Sequence, residues 1–210
     1  MEKIDLYKEH KDEYVKPTQP MLVQTKPAKY LAAVGRGKPG SDEFKANIGA
    51  LFGLAYTIKM TRKFSGGQDF KVCTLEGLYW ADDPQRCIVE QGLENFNWKL
   101  MIRVPSNVRQ NELTAAAKLA EKGKEGPFGN VVLETMKEGK CVQILHIGPY
   151  DAEAETVARM QAFCSENGLE FAGYHHEIYL SDPQRVAPEK LKTILRQPVT
   201  TAKKGKAAGA

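Results

Sequence analysis

The chain is 210 residues long, 42% apolar and 27% charged, a composition that suits one large domain or two closely packed repeats with enough core to fold without disulfides. No apolar run approaches the roughly 20 residues a membrane helix needs, and Met1-Glu2-Lys3-Ile4-Asp5 lacks the apolar centre of a signal peptide, so a cytoplasmic protein with no membrane partner is expected. The net charge of +4 owes much to Lys203-Lys204-Gly205-Lys206 in a frayed tail over 200–210, not to a basic folded surface with interleaved aromatics, so nucleic acid is not expected as a partner.

Residues 1–20 are polar, carry Pro17 and Pro20, and read as an N-terminal arm too short for a helix-turn-helix domain. Met21 to Gly35 reads as strand split by Pro27, because short apolar runs bounded by Gly and Pro favour strand over helix. Ser41-Asp42-Glu43 opens a helix whose Phe44, Ile48, Leu51, Phe52, Ala55 and Ile58 recur at spacings of three and four, ending near Arg62. Val72 to Trp80 and Trp98 to Val104 are further strands, the second closed by Pro105. A connecting helix is expected over about 109–123.

The order then begins again. Val131 to Met136 and Lys140 to Ile147 read as strands, and Gly148-Pro149-Tyr150-Asp151 caps a helix carrying Val157, Met160 and Phe163 that stops at Gly168. A strand from Gly173 to Ser181 and a last one from Leu191 to Leu195, closed by Pro198, complete the chain. Glu76-Gly77-Leu78-Tyr79-Trp80 with Asp83-Pro84-Gln85-Arg86 is echoed by Glu177-Ile178-Tyr179-Leu180 with Asp182-Pro183-Gln184-Arg185. A unit of strand, helix, strand, strand has been duplicated, over about 21–105 and 130–199. The fold class expected is α+β, two pseudo-symmetric repeats forming antiparallel sheet with helices on one side and a ligand cleft at the seam.

Alternation along a strand puts His175, Glu177 and Tyr179 on one face and Tyr174, His176, Ile178 and Leu180 on the other. In the first copy Thr74, Glu76, Leu78 and Trp80 share a face, and a pseudo-twofold would bring Glu76 and Glu177 to one central region. Either both acids lie on a solvated sheet face or, as the neighbouring aromatics suggest, they sit in a cage that holds a flat or cationic ligand and raises the acid's pKa. Trp98 and Tyr56 are each open to two readings, core or pocket wall, and His146 reads as a structural histidine. His175 and His176 point to opposite faces and no third ligand appears at a fitting spacing, so no metal site is expected. Cys73, Cys87, Cys141 and Cys164 form no Cys-x-x-Cys pair and read as free thiols. Gly35-Arg36-Gly37-Lys38-Pro39-Gly40 lacks the ending of a phosphate loop and reads as a turn.

The run from Gly173 to Arg185, the closing Lys190 to Val199, the Glu76 to Trp80 strand and His146-Ile147-Gly148-Pro149-Tyr150 closely resemble the GyrI-like (gyrase-inhibitor-like) small-molecule-binding family over roughly 20–199. The resemblance implies a cleft for hydrophobic or cationic drugs, and the two aromatic-acid strands look like the branch of cyclopropanoid cyclopropyl hydrolases, which open the strained ring of DNA-alkylating natural products. On that reading Glu177 activates or orients water, Tyr179 holds Glu177 or the water, and Trp80, Trp98, Tyr56, Tyr79, Glu76 and His175 bind the ligand. No cofactor is required, and a monomer or homodimer is expected. The alternatives are a drug or cationic-metabolite binder without turnover, a protein that blocks gyrase, and a haem binder like other relatives of the fold.

Overall fold

The computed structural model describes residues 2–81, 96–123 and 125–202. Asp83-Pro84-Gln85-Arg86, Cys87 and the basic end of the tail lie outside the described residues. In chain order the elements are α1 (Leu6–Glu9), β1 (Met21–Gln24), β2 (Ala28–Arg36), α2 (Asp42–Phe64), β3 (Leu75–Trp80), β4 (Asn97–Val104), α3 (Gln110–Ala120), β5 (Val132–Met136), β6 (Lys140–Ile147), α4 (Glu153–Glu166), β7 (Leu169–Phe171), β8 (His175–Tyr179) and β9 (Lys192–Thr201). The fold is α+β, as the duplicated pattern predicts.

All strand pairings are antiparallel, in the order β1-β6-β9-β8-β3-β4-β2-β5, with β7 continuing along β9. The order is mirrored about the β3–β8 pair, so each repeat contributes three central strands and the pseudo-twofold passes between them. The repeats also exchange their leading strands: β1 pairs with β6 of the second repeat, and β5 pairs with β2 of the first. Neither exchange is visible in a pattern that shows only order along the chain.

The helices lie on one side. Ser41 caps α2 by accepting from the Phe44 amide, and the Leu51, Leu54, Ala55 and Ile58 stripe is buried over β2 and β4. The shorter α4 buries Met160 and Cys164 over β6 and β7, and Gly168, at φ +65, takes the left-handed turn that ends it. The middle of the sheet, β3 and β8, lies between the two helices.

Two boundaries differ from expectation. β9 runs past Pro198 to Thr201, because β7 pairs with Phe171↔Val199, Glu170↔Thr200 and Leu169↔Thr201, so Thr200 and Thr201 belong to the sheet and not to the tail. Pro198 is tolerated because its carbonyl accepts from Ala172, and its missing N–H faces the same side, where the chain turns at Gly173 (φ +60) between β7 and β8. The N-terminal arm is also ordered against the sheet, held by Tyr7 to Thr74, an Ile4↔Phe70 bridge and the Leu145 amide to Pro17. No helix among the described residues is long and apolar enough to cross a membrane.

Candidate active site at the seam

The ladder between β3 and β8 decides which groups meet. Gly77 pairs with Glu177, Tyr79 with His175, Glu76 with Ile178 and Leu78 with His176. Directly paired residues share a face, so Glu177, His175, Tyr179, Gly77 and Tyr79 face the helices, whereas Glu76, Leu78, His176 and Trp80 face the other way. The expected convergence of Glu76 and Glu177 is therefore corrected: the two acids lie on opposite faces of one sheet.

On the helix side Gly77 leaves the space beside Glu177 free of a side chain, and the Tyr79 ring folds back over it; a Cβ there would lie 2.8 Å from the ring and its hydroxyl. Tyr79 and Tyr179 hydroxyls are 2.5 Å apart, and Tyr179 also bonds the Glu177 carboxylate. Tyr179 has one hydroxyl proton and a carboxylate is the stronger acceptor, so Tyr179 donates to Glu177 and receives from Tyr79. The Tyr150 ring meets Tyr179 edge-on at 5.7 Å. Glu153, the first residue of α4, reaches the same spot, with a carboxylate oxygen within 4.8 Å of Glu177.

This enclosure tunes the acids. Burial first, then the neighbouring Glu177 charge, pushes Glu153 far above the usual carboxylate range, and burial also raises Glu177, against the opposing effects of the Tyr179 and Glu153 hydrogen bonds and the His176 charge. His175 Nε2 stands 3.7 Å from Glu177, and burial holds that imidazole down at about 4, hence neutral at physiological pH. Glu177 and His175 each keep 14% of their side-chain surface open, so the site is lined rather than sealed. Glu153, His175 and Glu177 bring polar atoms within 4.8 Å of one another. The sequence spacing showed no third group beside the two histidines; the fold supplies one, because α4 brings Glu153 to His175 and Glu177.

The other sequence-predicted residues are dispersed. Trp98 is fully buried, edge-on to Phe44 at 5.3 Å and flat over Gly35, whose Cβ would fall 2.2 Å from the ring; of its two readings, core is the one observed. Trp80 stacks on Tyr174 at 4.5 Å on the face opposite Glu177. Tyr56 is half exposed and stacks on Phe52 at 6.5 Å. By helical rotation it lies opposite the buried Leu51, Leu54, Ala55 and Ile58 stripe, on the outer face of α2. The aromatic wall beside Glu177 is therefore tyrosine (Tyr79, Tyr150, Tyr179), not tryptophan.

Glu76 belongs instead to a buried polar network under the N-terminal arm. It accepts from Tyr14 at 2.9 Å and pairs with His176 at 3.1 Å; His176 in turn meets Glu138 at 2.9 Å, and Arg196 donates to Glu138 and Gln143. Arg103 pairs with Glu13 at 2.9 Å and donates to the Tyr14 hydroxyl. Burial opposes the charge on His176, yet the Glu138 and Glu76 carboxylates overcome it and lift its pKa to about 9. His146, as expected, is structural, bonded to Thr156 and the Pro149 carbonyl at the turn that presents Tyr150. Cys73, Cys141 and Cys164 are buried free thiols.

A model of the GyrI-like small-molecule-binding domain matches residues 18–200. The chain belongs to the GyrI-like family. Among solved structures it is similar to a hydrolase from Listeria innocua, at 35% identity and a TM-score of 0.86 over 95% of this chain and 100% of that one. An uncharacterized conserved protein from the same organism matches at 35% identity and a TM-score of 0.87, over 94% and 100%. The EcmrR C-terminal domain, 12% identical with a TM-score of 0.56 over 88% and 98%, shares the fold. No curated protein matches the chain. As a GyrI-like domain the protein is a small-molecule binder, and the seam between α2 and α4 is where its chemistry-bearing groups collect.

Proposed function

We propose that the seam pocket hydrolyses the strained cyclopropane of flat, dienone-conjugated alkylating xenobiotics, a detoxifying reaction. The observation that carries this reading is a carboxylate, Glu177, enclosed by tyrosines, raised in pKa by burial and still open to solvent along one edge. Two structures at 35% identity that span this chain almost entirely are described as hydrolases, which supports catalysis over storage.

Glu177, ionised, takes a proton from a water whose oxygen bonds to the cyclopropane methylene. The ring C–C bond breaks, its electron pair passes through the dienone to the carbonyl oxygen, and the resulting phenolate takes a proton from solvent. Tyr179 fixes Glu177, and Tyr79 fixes Tyr179. Tyr150 supplies a ring face for a flat substrate. Relief of ring strain drives the step, so a general base contributing about 10²- to 10⁴-fold suffices.

Mixing the protein with a large excess of a cyclopropane-bearing alkylator tests the reading. Ring-opened product far beyond one equivalent is expected. A plateau at one equivalent would instead make the protein a sequestering binder, and no ring opening would remove the reading.

A further inference from the structure

The pocket contains an unbalanced contact. Glu153 and Glu177 bring carboxylate oxygens within 4.8 Å of one another, yet ionised carboxylates are acceptors only, so a bond between them needs a shared proton. Glu153 is 8% exposed, and its Oε1 is buried without a donor from any described residue. Among the described residues no lysine or arginine pairs with either carboxylate, and the cation that acts on Glu177 is the His176 imidazolium on the opposite face. His175 and Tyr179 on β8, Tyr79 on β3 and Tyr150 ahead of α4 are the titratable groups facing the pair, and the His176 imidazole lies across the sheet. Two adjacent buried carboxylates under such conditions keep one proton.

The geometry also says which acid keeps it. Tyr179 donates to Glu177, and a donated hydrogen bond favours the ionised form, whereas Oε1 of Glu153 has no donor. We propose that Glu153 is a positioning residue that stays protonated and donates to the Glu177 carboxylate, so that the pocket presents a single negative charge held at a fixed orientation. This rests on reading Glu177 as the working acid. It defines the ligand as one that meets one charge: a neutral, polarised ring system with its attacking water, or an organic monocation in preference to a dication. His175, neutral and 3.7 Å from Glu177 at the open edge, stands where the proton taken from water would leave for solvent.

The test needs no ligand. Carbon-13 NMR of glutamate side-chain carboxyls, assigned with E153Q and E177Q, is expected to show one carboxyl that remains protonated at pH 8 and whose signal vanishes in E153Q. It should show a second, belonging to Glu177, that titrates near neutrality and moves up by at least one pH unit in E153L, where the donor is lost. Turnover of the alkylator by E153L should show its acid limb displaced by the same amount. Two carboxyls that both ionise below pH 6 in the unmodified protein would overturn the proposal, as would a Glu177 titration unchanged in E153L. A protonated Glu153 in a protein that opens no ring would leave the proton pair standing and remove the hydrolase reading instead.

Discussion

Glu177 and Glu76 are the same residue type in equivalent strands of two repeats, and one pleat of difference sends them to opposite faces with different work. Glu76 is fully buried, accepts from Tyr14 and pairs as an ion with His176; Glu177 keeps an open edge and a raised pKa. Replacing Tyr14 with Phe removes the donor to Glu76 and the acceptor for Arg103, and hydrogen bonds to charged groups are worth about 1.5–3 kcal/mol, so chemical denaturation of Y14F should show a loss of that order. Alternation put Glu177 on one face with His175 and Tyr179, and only the neighbouring aromatics favoured a cage over a solvated face. Glu153 was not legible: an acidic residue at a helix start is what the helix dipole favours anyway, and only the fold brings it to Glu177. Trp80 misled for a related reason, and Trp98 stayed open between core and wall, since ring size says nothing about which neighbour a ring covers.

At the level of elements, β3 carries the site through a residue without a side chain. A methyl at Gly77 would collide with the Tyr79 ring and hydroxyl, so G77A should displace Tyr79, break its bond to Tyr179 and lower kcat by about tenfold or more, with modest loss of stability; a Y79F variant with a similar kcat would link the effect to that hydroxyl. The N-terminal arm is the element the sequence described least well. Its composition named it only a polar arm, yet Glu13 and Tyr14 are nearly fully buried against Arg103 and Arg196, whose guanidinium carbons stand 5.5 and 5.8 Å from the Tyr14 ring. Breaking a buried pair by removing one partner costs about 3–5 kcal/mol, so E13A, which strands Arg103, should lower the thermal midpoint markedly while leaving the helix-side pocket in place. The duplicated pattern revealed the order of elements and the seam, but the exchange of β1 and β5 between repeats depends on sheet edges that no local pattern records.

For the molecule as a whole, one face of the sheet holds a reactive acid and the other a buried ionic network, and pH acts on both. His176 binds its proton more tightly in the folded protein, with a pKa near 9, than an unfolded histidine at 6.5, so its contribution is complete below 6.5 and is lost as pH rises through 9. For Glu138, burial opposes the charge, but His176 and Arg196 hold the pKa down to about 2, so its contribution is present above 4.5 and lost as pH falls toward 2. Thermal midpoints should therefore decline between pH 6.5 and 9, and H176N should flatten that decline. Activity follows the other face: Glu177, near 7, must be ionised to accept a proton, so turnover should rise through neutrality until the network's alkaline loss intervenes. The most direct measurement compares steady-state ring opening of a cyclopropane-bearing alkylator by the unmodified protein and by E177Q, which keeps the shape of the side chain and removes its basicity. The account predicts many equivalents of product from the first and a fall of at least a hundredfold in the second; equal turnover by the two proteins would contradict it.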